Sequence, residues 1–221
     1  MTPDERRARF ARVHLYLVAP LVPGGRTLLD VATHAIAGGV DALQVRDKDA
    51  TDDELVAGLR GLRQLCDLTG TLLVLNDRPD LALAGGADAV HVGQDDTPVD
   101  EARRIVGEDV LIGLSTHTKG EIDLAHVGGA SGNPDAVPDH IGVGPIHATP
   151  TKAGVAGVGV ELVRHAAGRE LPFVAIGGID VSTLGAVLKA GAPRVAVVRA
   201  IADADDPRAA ASLLRGAIDR R

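Results

Sequence analysis

Short, continuously apolar runs recur eight times along the chain, separated by stretches with helical spacing. This alternation limits the fold more than any other feature. The runs fall at 14–19 (HLYLVA), 40–45 (VDALQV), 71–75 (TLLVL), 88–92 (DAVHV), 110–114 (VLIGL), 139–143 (DHIGV), 172–176 (PFVAI) and 194–198 (RVAVV). A strand with one wet face alternates apolar and polar residues, whereas a strand covered on both faces is apolar throughout. The runs therefore read as parallel strands sandwiched by helices. Between them, Leu28, Val31, Ala32, Ala35 and Ile36, and later Leu55, Leu59, Leu62 and Leu65, repeat at the spacing of an amphipathic helix. Eight strands alternating with helices predict a single (β/α)8 TIM barrel with a short N-terminal helix, one domain over residues 1–221. An open doubly wound sheet is the rival. Against it, the first run leads into APLVPGGR, without the G-x-G-x-x-G of a dinucleotide fold, and no Gly-Lys pair exists to make a P-loop.

Local punctuation agrees. Thr97-Pro98 with Asp100 reads as an N-cap, a proline at the first helical position and an acidic first turn, and Asp206-Pro207 repeats the pattern. Gly38-Gly39, Gly85-Gly86, Gly128-Gly129 and Gly191 follow helical runs, where a left-handed terminating residue is favoured. The phrases AGGVDALQV, AGGADAVHV and AGAPRVAVV are variants of one helix-end, turn and strand unit. The longest irregular piece, 128–139, predicts a surface loop.

Composition excludes several classes. No apolar stretch approaches the roughly 20 residues of a membrane helix. The start, MTPDERRARF, has no apolar core of a secretory signal. A lone cysteine, Cys66, forms no internal disulfide, which fits the cytoplasm, and its helical setting suits a small core residue. The formal net charge of −7 and only three aromatics (Phe10, Tyr16, Phe173) give no footprint for nucleic acid. Eight histidines show no H-E-x-x-H spacing, which argues against zinc. A second copy of the chain remains open as a partner, because an apolar helix face fits either the barrel or a neighbour.

In such a barrel, chemistry collects at the C-terminal ends of the strands. The polar clusters fall there: Gln44-Val45-Arg46-Asp47-Lys48, Asn76-Asp77-Arg78, Gly93-Gln94-Asp95-Asp96, Ser115-Thr116-His117, Gly144 to Lys152, Gly177-Gly178 and Val198-Arg199. Singly, each has a plainer reading. Asp77 fits a helix cap before Pro79, Asp95 and Asp96 a wet turn, Ser115-Thr116 a cap, and the glycine-rich 154–160 a linker. His91 and His147 fit structural histidines. Jointly they point to anions. Arg46, Lys48, Lys152 and Arg199 bring positive charge, and Gly177-Gly178 before a helix offers bare N–H groups. Asp77 and Asp96 are hard oxygen donors of the type Mg²⁺ takes, and carboxylates beside a polyphosphate need a cation between them. The expectation is a metal-bridged diphosphate and a second phosphate site.

The set QVRDK, LNDRPDLALAGGADAVHVGQDD, IGLSTHT, HIGVGPIHATPTK, FVAIGGI and VAVVRAI resembles the thiamine-phosphate synthase family over nearly the whole chain. The resemblance implies a Mg²⁺-dependent transferase. It joins 4-amino-2-methyl-5-hydroxymethylpyrimidine diphosphate to a thiazole phosphate, by loss of pyrophosphate and then attack of the thiazole nitrogen. By motif position it implies Gln44, Val45, Arg46, Asp47, Lys48, Asn76, Ser115 and Lys152 around the diphosphate, with Lys152, Arg46 and Ser115 catalytic. It implies Thr149, Pro150, Thr151, Gly178, Val198 and Arg199 around the thiazole phosphate, and Asp77 and Asp96 on the metal. Arg199 stands where the family usually has serine, His147 where it often has an aromatic residue, and the 129–139 loop is longer than usual. The segment after Lys152 is expected to close as a lid. Two other classes fit less of this set: a phosphate-ligand barrel isomerase such as a thiazole tautomerase, with His117 or His147 as catalyst, and a non-catalytic phosphate sensor.

Overall fold

Strands β1 (Leu15–Ala19), β2 (Ala42–Val45), β3 (Leu72–Asn76), β4 (Ala89–Val92), β5 (Leu111–Thr116), β6 (His140–Val143), β7 (Phe173–Ile176) and β8 (Val195–Val197) close a barrel in chain order. All neighbours are parallel, and β8 returns onto β1 with Leu15 opposite Val195. The computed structural model describes residues 2–129, 132–149 and 156–220. Each sequence run holds a strand, with ends moved by one or two residues. The connecting helices are α2 (Leu28–Ala37), α3 (Asp52–Thr69), α4 (Pro79–Gly85), α5 (Val99–Val106), α6 (Lys119–His126), α7 (Val160–Ala167), α8 (Leu184–Lys189), the four-residue α9 (Arg199–Ala202) and α10 (Pro207–Asp219), after an N-terminal α1 (Pro3–Ala11). Among the described residues no helix is long and apolar enough to cross a membrane.

The two-residue period of the strands separates two cores. Leu15, Leu17 and Ala19 face the helices and join Leu28, Val31, Leu55, Leu59 and Leu214 in the larger one. Tyr16 and Val18 face inward and join Ala42, Leu72, Val74, Ala89, Leu111, Val174 and Ala196. Helix α1 closes the bottom of this inner core. Thr2 caps it in a reciprocal capping box with Glu5, and Phe10 near its end is buried against the His140 ring, centroids 4.2 Å apart. Cys66 is buried in the outer core, where burial pushes its thiol up to about 11, so it stays protonated.

The repeated phrase has a structural role at the N-terminal ends of β2, β4 and β8, and before β6, which lacks the phrase, Asp139 stands in the same place. Asp41 accepts from Leu15 N–H at 3.1 Å and pairs with Arg215 at 2.9 Å. Asp88 accepts from Leu73 N–H at 3.0 Å and pairs with Arg63 at 2.9 Å. Asp139 accepts from Ile112 N–H at 2.8 Å and pairs with Arg103 at 2.6 Å and Arg7 at 3.0 Å. Each carboxylate thus fastens an even strand to the odd strand before it. At β8 the equivalent residue is Arg194, which reaches back to the Phe10 and Ala11 carbonyls of the α1 end, both at 3.2 Å.

Helix starts correct some local expectations. Asp206 does cap α10, accepting from Ala209 N–H at 2.9 Å with Pro207 first in the helix. Asp206→Ala should therefore cost about 1 kcal/mol, read as a lower urea midpoint with an unchanged m-value. Thr97 caps nothing: α5 begins one residue later, with Pro98 at its cap and no side-chain bond. Asp77 is not a cap either, because Arg78 holds that position at α4 without a side-chain bond. Ser115 and Thr116 lie in β5, and Thr118 caps α6 instead.

Candidate active site

The inward parity of the strands carries upward into a cavity of about 1130 Å³ at their C-terminal ends. Gln44 and Arg46, Val74 and Asn76, His91 and Gly93, Gly113 and Ser115, His140 and Gly142 and Gly144, Ile176 and Gly178, and Ala196 and Val198 share this parity. Lining the cavity are Gln44, Arg46, Asp47, Lys48, Asn76, Asp77, Asp96, Ser115, Thr149, Gly178, Val198 and Arg199. Residues scattered over 44–199 thus share one mouth. Val45 does not join them. It has the opposite parity and is fully buried in the outer core, so its side chain faces the helices. Pro150, Thr151 and Lys152 lie outside the described residues.

One wall carries charge of both signs. Lys48 Nζ lies 4.0 Å from Asp77 Oδ2. Asp77 also faces Asp96 within hydrogen-bonding reach. Burial, then the Asp96 carboxylate, push the Asp77 carboxyl up to about 6, against the pull of Lys48 and Arg46. Asp77 is the only described non-glycine residue with positive φ, 63°. Its N–H donates to the His91 carbonyl at 2.8 Å, which holds that backbone in place. Asp96 Oδ2 accepts from Gly93 N–H at 2.8 Å, and a Cβ at Gly93 would stand 2.7 Å from that oxygen. Asp47 ties the adjoining loop together, accepting from Leu21 N–H at 3.0 Å. Arg78 turns away to Asp52 and Asp80.

The floor is polar and was largely hidden from sequence reasoning. Gln44 Nε2 donates to Tyr16 Oη at 3.2 Å, and burial keeps that phenol protonated. His91 Nε2 lies 3.0 Å from Ser115 Oγ. His140 is fully buried with neither ring nitrogen bonded to a described residue, and burial holds it well below the usual histidine value, hence neutral. Tyr16 and His140 sit inside strands that read as apolar runs, so only barrel parity finds them. Gln94 Nε2 donates to the Ser115 carbonyl at 2.6 Å.

The opposite wall joins the β6 and β7 loops. A Cβ at Gly177 would meet Pro145 Cα at 2.4 Å, and one at Gly178 would meet His147 Cβ at 2.6 Å. Both glycines have positive φ, 103° and 61°, and the Gly177 carbonyl accepts from His147 N–H at 3.0 Å. These glycines let two loops touch. The expected helix end behind them is absent: α8 starts only at Leu184 and has six residues. His147 is not among the cavity-lining residues, whereas His117 is, with Nδ1 against the Gly144 carbonyl. Of the segment expected as a lid, 154 and 155 lie outside the described residues. Val158 and Gly159 donate to Pro145 and Ile146 carbonyls at 2.8 and 2.9 Å.

Residues 15–201 match the family model described as thiamine monophosphate synthase. The chain is 44% identical over 217 residues to the thiamine-phosphate synthase of Saccharopolyspora erythraea, covering 95% of this chain and 94% of that one. It is 45% identical over 211 residues to that of Streptomyces avermitilis, covering 95% of both. The solved thiamine phosphate pyrophosphorylase of Pyrococcus furiosus superposes with a TM-score of 0.83 at 31% identity, covering 96% of this chain and 98% of that one.

Proposed function

The chain belongs to the thiamine-phosphate synthase family, a family of transferases, and from that premise we propose how its cavity divides the work. The substrates are the aminopyrimidine diphosphate and a thiazole phosphate, and the metal is Mg²⁺. The observation that carries this reading is the facing pair Asp77 and Asp96 beside Lys48 and Arg46. Two carboxylates in a half-buried place repel each other unless a proton or a cation lies between them. Their hard oxygens suit Mg²⁺, with substrate oxygens and water filling the other positions. Among the described residues no third acid, histidine or cysteine completes a cage, which fits a metal bound together with substrate. When bound, Mg²⁺ neutralises charge on the departing diphosphate.

The chain's own residues do the rest. Gln44, buried and held by Tyr16, keeps an amide edge for the aminopyrimidine ring. Arg46, Lys48, Asn76 and Ser115 face the diphosphate, with Lys152 assigned there by motif. Gly178, Val198, Arg199 and Thr149 line the cavity from the loops after β6, β7 and β8, where the thiazole phosphate sits in this reading. The bond between the pyrimidine methylene and the diphosphate oxygen breaks, and its electron pair leaves with that oxygen. The thiazole nitrogen then gives its lone pair to the methylene carbon. No nucleophilic side chain is needed. The site has to stabilise the departing charge and aim the nitrogen.

The test is incubation of purified protein with both substrates. Pyrophosphate release that needs the thiazole phosphate and Mg²⁺ is expected. Isomerisation without pyrophosphate, or tight binding without turnover, would overturn the reading. Arg199 makes a separate prediction. It is exposed and lines the cavity from the β8 end, whereas Arg46 and Lys48 line it from the β2 end. A charged hydrogen bond contributes about 1.5–3 kcal/mol, and exposure lowers that. Arg199→Ala should raise KM for the thiazole phosphate about tenfold, the equivalent of ~1.4 kcal/mol. Steady-state kinetics should show kcat and KM for the diphosphate nearly unchanged.

A further inference from the structure

We infer that His91 is a positioning residue that sets the direction in which the Ser115 hydroxyl donates. The inference rests on the reading of Ser115 as a ligand of the departing diphosphate. Strands β4 and β5 run side by side with His91 opposite Gly113, two residues before Ser115, and His91 Nε2 lies 3.0 Å from Ser115 Oγ. A serine hydroxyl has one proton and turns freely about its C–O bond. When Nε2 carries the ring hydrogen, it donates to Oγ, and the serine proton is left to point into the cavity at an anion. In the other tautomer the serine spends its proton on the ring and shows the cavity only lone pairs, which repel a phosphate. An anion-binding Ser115 therefore requires the Nε2–H form of His91.

The surroundings are shaped to keep this ring in one place. A Cβ at Gly113 would stand 2.4 Å from His91 Nδ1, and one at Gly142 would stand 3.1 Å from its Cε1. Two neighbouring strands are thus hollowed, by glycine, around the imidazole. The His140 ring flanks it with centroids 5.6 Å apart. The Ser115 backbone is separately fixed by Gln94, whose Nε2 donates to its carbonyl at 2.6 Å. What remains undetermined at Ser115 is the hydroxyl rotor, and His91 is the group that sets it. The His91 carbonyl also accepts the Asp77 N–H at 2.8 Å, so one residue orders a hydroxyl on one side and a carboxylate backbone on the other.

Glutamine and asparagine separate this role from simple packing. The amide nitrogen of glutamine sits near the place of Nε2, and that of asparagine near Nδ1. Ser115→Ala is expected to lower kcat about 10²-fold, the effect of one lost charge-stabilising donor. His91→Asn should lower kcat about tenfold with KM for the thiazole phosphate unchanged, and His91→Gln should recover to within about threefold of wild type. In the Ser115→Ala background, His91→Asn should change kcat less than about twofold, because coupled residues are not additive. Long-range ¹⁵N–¹H spectra of the wild-type protein should show the His91 proton on Nε2, with and without Mg²⁺ and inorganic pyrophosphate. This readout needs neither turnover nor a folded variant. A proton on Nδ1 overturns the inference, as does an equal effect of His91→Asn in both backgrounds or no advantage of glutamine over asparagine. Wild-type turnover in Ser115→Ala instead overturns the assignment of Ser115 itself, and the inference with it.

Discussion

Asp77→Asn will lower kcat by at least about 10²–10³, the cost of removing one charge-stabilising group, while making the metal-free protein harder to unfold. Both effects come from one geometry. Asp77 faces Asp96 in a half-buried place, and its carboxyl titrates near 6 rather than at 3.8. A raised carboxyl favours the protonated form in the folded protein. The folded state is therefore favoured below 3.8, and that advantage is lost as pH rises through about 6. At neutral pH the metal-free wild type holds two facing carboxylates. Asparagine removes one charge and keeps the shape. It also suits the backbone, because φ at this residue is 63°, a region that asparagine enters more readily than most residues. Each kcal/mol gained moves Tm by about 2–4 °C at this chain length. Thermal unfolding at pH 7 in EDTA should show a higher Tm than wild type, and the difference should shrink at pH 4. Mg²⁺ added together with inorganic pyrophosphate should raise Tm in wild type and raise it less in the variant. A variant that turns over normally, or melts lower in EDTA, contradicts this account of the pair.

Asp139→Ala carries the largest expected effect on stability, and it lies at the opposite end of the barrel. The Asp139 side chain is 9% exposed and Arg103 13%. Removing the carboxylate leaves Arg103 without its closest partner and the Ile112 N–H without its acceptor. Breaking a buried pair from one side costs about 3–5 kcal/mol. Tm should fall by roughly 10 °C. Asp139→Asn keeps an acceptor for Ile112 and should fall by about half as much. In both variants, kcat measured well below the melting range should stay within about twofold of wild type, because the catalytic mouth is at the other end of the strands. A loss of kcat without a loss of Tm would contradict this separation of stability from function.

The barrel was legible because its strands are covered on both faces, so each leaves a continuous apolar run that is too short for a helix and is bounded by turn residues. The rim was legible in part. Gln44 and Arg46 sit two apart at the end of β2, so their common direction follows from strand geometry, whereas Lys48 lies past the strand and reaches the same cavity from the loop. The same rule turns Val45 toward the helices, where its motif position alone had placed it at the substrate. Asp77 was open to a capping role until the start of α4 fell on Arg78 and Pro79. Gly177-Gly178 looked like a phosphate cradle before a helix. Their close approach to Pro145 and His147 is a contact between loops far apart in sequence, which no local pattern reveals. The grouping of His91, Gly113 and His140 is hidden for the same reason. It exists only once three strands stand in register, and in the sequence HIGV and AVHV are ordinary runs.

The carboxylate that fastens each even strand to its predecessor also bears on how the chain finds its shape. The backbone bonds it makes close separations of 26, 15 and 27 residues. Closing loops this short is entropically cheap. Three two-strand modules can therefore acquire their alignment independently, early, and in any order. The contact between Arg194 and the Phe10 carbonyl spans 184 residues. It can form only after both ends of the polypeptide have met. The β8–β1 seam is then expected to form last, and deleting residues 1–12 should slow the last phase of refolding, followed by stopped-flow circular dichroism, more than the earlier ones.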